Sequence, residues 1–381
     1  QYFNIYTPWD GNNVGVRNRL PIVFSLYILL KPLLLVGVST EIVIKVATSL
    51  IFVGAYTVMY FLAPKFVKIF AKTEVEKQSG IYVWALIIAL LYSFIPFYVY
   101  RVSQLHLFYM SIFYPLHIYL FIKLFESPKI SRKYISLFVL SMFFGLTSPN
   151  IIIFDLFSFG LIGTFLIIKR VKEKGTFKNT IFNFLIAGIF VLLTNIYWIF
   201  PYFVQGSPSP GYVINSMMID LLSQGVTLGN FLLGQADWFV NQANLGVLET
   251  QDDAIAMLQI FGVIVFYTVS FWGLVSYLKK KYILPVVIFL LISPLLIFNV
   301  LPFQRDLQEF LLYSPLGWIF REVNRVSFFW WFWMYVMFLI GSYSIYEGIL
   351  LNGWLNRILK IVVLPAIFIP FLIFLIPVNL K

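Results

Sequence analysis

The residues able to do chemistry are few, and they sit in a chain built mostly of apolar side chains. The stretch from Tyr6 to Pro21, YTPWDGNNVGVRNRLP, sets Asp10 between Trp9 and Gly11 and follows it with Asn12, Asn13, Arg17 and Arg19. Asp, Gly and Asn are ordinary turn formers, so Asp10-Gly11-Asn12 reads either as a plain turn or as a turn that presents a carboxylate. Asp155 lies a few residues inside an apolar run. A carboxylate there costs about 2.5–3.5 kcal/mol on insertion scales and ordinarily faces a bundle interior; it pairs with an arginine, caps the turn after Asn150 or has a functional place beside a bound substrate. His117 is mid-run, where a neutral imidazole bonds a neighbouring helix. His106 forms a polar rim with Gln104 and Arg101. Glu249, Asp252 and Asp253 either hold a divalent cation through oxygen ligands or form a solvated loop before a helix. With two histidines and no cysteine, a multi-histidine or thiolate metal centre is excluded. No Gly-rich phosphate loop, HExxH helix or nucleophile elbow occurs, and no cofactor is expected.

The elements that must position these residues follow from composition. Hydrophobic residues make up 61% and charged residues 11%, with a mean hydropathy of +0.90, far from the roughly 25% charge of soluble domains. Each unpaired backbone group in lipid costs several kcal/mol, so only helices or closed barrels cross a bilayer. The apolar runs are continuous and rich in Leu, Ile and Phe, where barrel strands would alternate. The expected fold is therefore all-α, a polytopic transmembrane bundle of about ten spans plus outer interfacial helices. The runs are Val43–Leu62, Ile81–Tyr100, Leu105–Leu124, Tyr134–Leu146, Ile151–Ile168, Ile181–Val204, Ala256–Tyr277, Tyr282–Leu301, Val326–Tyr346 and Ile361–Val378. Ser148-Pro149-Asn150 leaves one turn between the fourth and fifth, which reads as a tight hairpin.

Charge orients these runs. The connections Ala63–Gly80, Lys123–Lys133, Lys169–Lys178, Lys279–Lys281 and Glu347–Lys360 hold 18 of the 27 Lys and Arg residues. By the positive-inside rule they face the cytoplasm. The net charge of +11 is thus an orientation signal, and nucleic acid is not an expected partner. The chain then divides into a first extracytoplasmic loop with an interfacial helix (1–42), transmembrane helices (43–204), an acidic extracytoplasmic loop (205–255), transmembrane helices (256–301), an interfacial extracytoplasmic loop (302–325) and transmembrane helices (326–381). Leu20–Gly37 is apolar but interrupted by Lys31-Pro32, and it is read as lying in the outer interface. The rival reading makes it a span and moves Asp10 inside. Phe328–Trp333, FFWWFW, reads as an aromatic belt.

An acidic residue in a first outer loop, an interfacial helix, then spans joined by short basic inner loops: this layout resembles the GT-C class of membrane glycosyltransferases. PWDGNNVGVRNRLP, LYILLKPLLLVGVSTEIVIKV and the late FREVNRVSFFWW are most similar to arabinofuranosyltransferase-like or YfhO-like archaeal and bacterial members. Members of that class open with a span directly before the acidic loop, so the resemblance implies a truncated catalytic core. It further implies a polyprenyl-phosphate sugar donor entering from membrane lipid, a glycan or glycoprotein acceptor, and an active side outside a multi-pass cell-membrane protein. The base that deprotonates the acceptor hydroxyl would be Asp10, the only carboxylate before Glu41. Trp9 would stack on a sugar or anchor at the headgroups. Arg101, Arg321 and Arg325 lie at outer run ends, where each holds the lipid phosphate or snorkels to the surface; His106 completes the substrate-binding set. The competing class is a non-enzymatic membrane component, either a lipid-glycan transporter or an envelope scaffold.

Overall fold

Residues 24–71, 81–95, 105–146, 149–172, 177–204, 253–277, 283–292, 306, 310 and 326–350 are described by a computed structural model. Among them the fold is all-helical. The helices are α1 (Phe24–Leu35), α2 (Thr40–Ala71), α3 (Ile81–Ser93), α4 (Leu105–Glu126), α5 (Arg132–Gly145), α6 (Pro149–Lys172), α7 (Lys178–Val204), α8 (Asp253–Tyr277), α9 (Ile283–Ile292) and α10 (Val326–Leu350). Four of them, α2, α4, α7 and α10, contain stretches long and apolar enough to cross a membrane, and shorter apolar stretches lie in α3, α6 and α8.

Local chemistry sets the helix ends. α1 runs through Pro32 and closes at Gly37, whose φ of 85° is the left-handed conformation that glycine adopts without strain. Val38 N–H donates to Leu33 O at 3.0 Å and Gly37 N–H to Leu34 O at 3.1 Å, the paired bonds of a Schellman cap. Lys31-Pro32 therefore does not interrupt this helix; the glycine stops it. Ser39 starts α2, its Oγ accepting from Ile42 N–H at 3.5 Å, a weak N-cap. At α6 the chain places Pro149 in the first helical position, where its missing N–H is no loss.

Several helices outrun the apolar segments. α2 continues nine residues past Leu62, through Pro64, because Phe66, Val67 and Phe70 keep an apolar face that is buried. The beginning of the Ala63–Gly80 connection is thus helix. Ile361–Val378 lies outside the described residues, as do Gln205–Asp252 and most of Pro302–Arg325.

Two compact units interleave along the chain. In the first, α4 is central and touches α5, α6 and α7. Phe113 stacks on Phe144 while His117 meets Ser141, so α5 runs antiparallel to α4. Phe121 stacks on Phe159 with centroids 4.5 Å apart, and Arg170 reaches Phe125, so α6 runs parallel to α4. Thr180 bonds Phe125 O while Phe184 packs on Phe121, so α7 is antiparallel. One end of this bundle is closed by polar side chains. Asn179 Nδ2 donates to Pro128 O at 2.6 Å, and Arg170 Nη1 to Phe125 O at 2.6 Å. Asn183 accepts from Ser131 N–H at 3.0 Å and donates to Leu124 O and Lys129 O, each at 3.3 Å. Helix ends bearing Lys123, Arg132, Arg170 and Lys178 therefore gather at one end. On α7, Ile181, Leu185, Ile189, Leu192 and Ile196 are more than half exposed, an apolar face suited to a lipid surrounding.

The second unit is built around α10, which touches α3, α8 and α9. Ser270 Oγ donates to Met334 O at 3.3 Å, and Phe266 stacks on Trp331 with centroids 5.4 Å apart. The crossing of α8 and α10 is closest at Gly273 and Gly341. A Cβ on Gly273 would run into Met337 O, and one on Gly341 into Val269 O. Tyr335 donates to Ile88 O, Trp84 Nε1 to Ser342 Oγ at 3.3 Å, and Trp330 Nε1 to Leu290 O at 3.2 Å. These pairs make α10 parallel to α8 and antiparallel to α3. The FFWWFW run corrects its sequence reading: Phe328 to Trp333 are all buried, Trp331 and Trp333 to 1% exposure. A membrane-interface belt would show its rings outward. These rings instead fill the space around α10, Phe332 and Trp333 meeting Phe66 and Phe70 of α2 edge-on.

Candidate functional site

Among the described residues of the first unit, an apolar bundle encloses a buried ionisable pair. His117 sits midway along α4 and Asp155 in the second turn of α6, at 0% and 1% side-chain exposure. His117 Nδ1 lies 2.9 Å from Asp155 Oδ2, and Nε2 lies 3.0 Å from the backbone oxygen of Ser141 near the end of α5. One imidazole thus joins three helices. Beside it the Tyr114 hydroxyl meets Ser158 Oγ at 2.7 Å, again across α4 and α6. Since Tyr114 and His117 are three apart on α4, and Asp155 and Ser158 three apart on α6, each pair presents one face.

Hydrogen-bond roles fix the proton count of the pair. Ser141 O only accepts, so Nε2 carries hydrogen. The contact between Nδ1 and Oδ2 needs one proton as well, on the ring or on the carboxyl. Either placement leaves the pair with two protons and no net charge, the form least costly to bury. Asp155 Oδ1 is buried and makes no hydrogen bond.

Glycine makes the seat possible. A Cβ on Gly145 of α5 would stand 2.6 Å from His117 Nε2 and 2.7 Å from both Cε1 and Phe113 Cβ, well inside van der Waals contact. The ring lies against the end of α5 only because no side chain occupies that position.

His117 thus bonds neighbouring helices, as its mid-run position suggested. Asp155 departs from expectation, since its partner is neither an arginine nor the turn after Asn150. Sequence reading missed the pair because its members are separated by a whole helix. The available signal was that each is ionisable within an apolar run, and such residues pair with one another inside membranes.

Of the residues expected to act in catalysis or substrate binding, Asp10, Trp9, Arg101, Arg321 and Arg325 lie outside the described residues. His106 is in the first turn of α4, where the backbone alone is described. Glu249 and Asp252 also fall outside. Among the described residues, no three His, Asp or Glu side chains come together as a metal site would need. Comparison with protein-family models, with curated proteins and with solved structures finds no match to this chain.

Proposed function

We propose that the chain is a multi-pass membrane glycosyltransferase of GT-C layout, transferring a sugar from a polyprenyl-phosphate donor to an extracytoplasmic glycan or glycoprotein. The observation carrying its membrane half is helix direction. Alternating spans require α4 and α6 to share a direction opposite to α5 and α7, and α8 and α10 a direction opposite to α3. Each unit packs in that way, and in the first unit the basic helix ends meet. The catalytic half rests on the sequence: Asp10 takes the acceptor proton, Trp9 stacks on sugar, Arg101, Arg321 and Arg325 bind the donor phosphate at the outer surface, and His106 completes the substrate-binding set. Cationic groups there stabilise the charge developing on the leaving phosphate.

The test is transfer from labelled polyprenyl-phosphate sugar by the full-length protein in membranes. Asp10→Asn should retain donor binding and lower transfer about 100-fold or more, because an amide cannot accept the proton. Undiminished transfer removes Asp10 from the mechanism. A second reading, a non-enzymatic lipid-glycan transporter or scaffold, is favoured by one observation: the polar site assembled among the described residues is an enclosed pair and not an open cleft. Movement of lipid-linked glycan across the membrane, with no transfer from any donor, would select it.

A further inference from the structure

The His117–Asp155 pair is more than a helix clamp requires. Two neutral polar groups, such as Tyr114 and Ser158, already bridge α4 and α6 without ionisable chemistry. A carboxylate adds a second oxygen, and in this bundle that oxygen has no donor. An unsatisfied buried acceptor costs about 1–3 kcal/mol, more when charged, and a purely structural contact gains nothing in return. Asp155 Oδ1 is therefore a place for something to arrive. The neighbourhood limits what that can be. Among the described residues no lysine, arginine or further carboxylate bonds the pair; Arg132 and Lys133 of α5, Lys123 of α4, Arg170 of α6 and Lys178 of α7 lie toward the basic end of the bundle. Tyr114, the ionisable neighbour on α4, is turned to Ser158. A third metal ligand is lacking among the described residues.

We propose that His117 and Asp155 form a buried proton-binding site in the first unit. In the neutral pair one proton is on Nε2 and one is shared between Nδ1 and Oδ2. A further proton, delivered from hydronium in the aqueous phase, binds at Oδ1. The product is imidazolium hydrogen-bonded to a neutral carboxylic acid, one positive charge above the resting pair, and release reverses the step. No bond other than O–H forms or breaks. The site is independent of glycosyl transfer and stands or falls separately from it.

The chain has two histidines, which makes the test direct. The full-length His106→Asn protein, labelled with ¹⁵N-histidine and placed in lipid bilayers, reports on His117 alone. Across an acid-to-alkaline titration the Nε2 signal should remain that of a protonated nitrogen. Nδ1 should shift in one step, and the acid-induced protonated-carboxyl band in the infrared spectrum of the wild-type protein should contain one component beyond those of the other Asp and Glu residues. Asp155→Asn should abolish the Nδ1 step and remove that one component, seen in the wild-type minus variant difference spectrum. An Nδ1 signal constant over the whole range overturns the proposal and leaves a static clamp. The His117 nitrogen signals of the His106→Asn protein decide even if Asp155→Asn fails to fold. An Nδ1 step that persists in a folded Asp155→Asn protein, or a difference spectrum with no carboxyl component lost, overturns it as well.

Discussion

The two units solve the same problem by different means. Between helices surrounded by lipid there is little hydrophobic drive, and association depends on close packing or on interhelical hydrogen bonds. The first unit uses bonds: His117 to Asp155 and Ser141, Tyr114 to Ser158, and the Asn183 cluster at its basic end. The second has interhelical bonds too, from Ser270, Tyr335, Trp84 and Trp330, but no ionisable pair among its described residues, and it relies more on shape, with Phe, Tyr and Trp rings packed around α10 and two glycines where α8 and α10 cross. Directional bonds specify register residue by residue, whereas rings and glycines specify how near two helices come. Damage to the first unit should therefore be local and repairable by a paired change, while damage at the glycine crossing should spread along the helices.

The largest effect is expected at that crossing. Gly273→Leu drives a side chain into the backbone of α10 and should lower the stability of the second unit by about 3 kcal/mol or more, read as an earlier loss of helix in a denaturant titration in detergent micelles. A change within about 0.5 kcal/mol would mean the helices separate without cost, and the contrast between the units would fail.

An intermediate effect is expected at the ion pair. Asp155→Leu leaves His117 without its Nδ1 partner and should cost about 1–3 kcal/mol. Adding His117→Leu removes both groups and should recover more than half of that loss, since replacing both partners of a buried pair by apolar groups can be nearly neutral. The measurement is the double-mutant comparison in the same denaturant assay. Additive losses would show that the two residues act separately.

The smallest effect is expected at Asn183. Asn183→Ala removes bonds to Ser131 N–H, Leu124 O and Lys129 O; Leu124 is buried, but Ser131 and Lys129 are at least partly exposed, so water can replace the amide there. The loss should be about 1 kcal/mol. Faster amide hydrogen exchange at Ser131, with no change at His117, would confine the effect to the turn.

The helices were legible because an apolar run in lipid has few alternatives to helix. Their ends were less so. The continuation of α2 past Leu62 depends on Phe66 and Phe70 finding rings on α10, which local composition does not state. The same gap explains the FFWWFW run. Aromatic residues near a run's end suit an interface or a core equally well, and the choice belongs to the partner helices. At the candidate site, His117 and Asp155 each stood out as polar residues in apolar surroundings. Their pairing depends on α4 and α6 lying side by side, which neither run specifies. The Asp10 stretch shows the converse: its chemistry is suggestive in the sequence, and it lies outside the described residues.

The seat beside Gly145 has a consequence for recognising this arrangement in other chains. An imidazole in the middle of one apolar helix and a hydrogen atom in place of a side chain at the end of the next form one joint requirement, because a single methyl group at position 145 would occupy the space of the ring. A chain that carries the histidine and acid of this site but a larger residue at the glycine position would have to hold its imidazole elsewhere. The pair His117 and Gly145, together with Asp155, is therefore a three-point signature spread over three helices, and it can be sought by position where overall resemblance has faded.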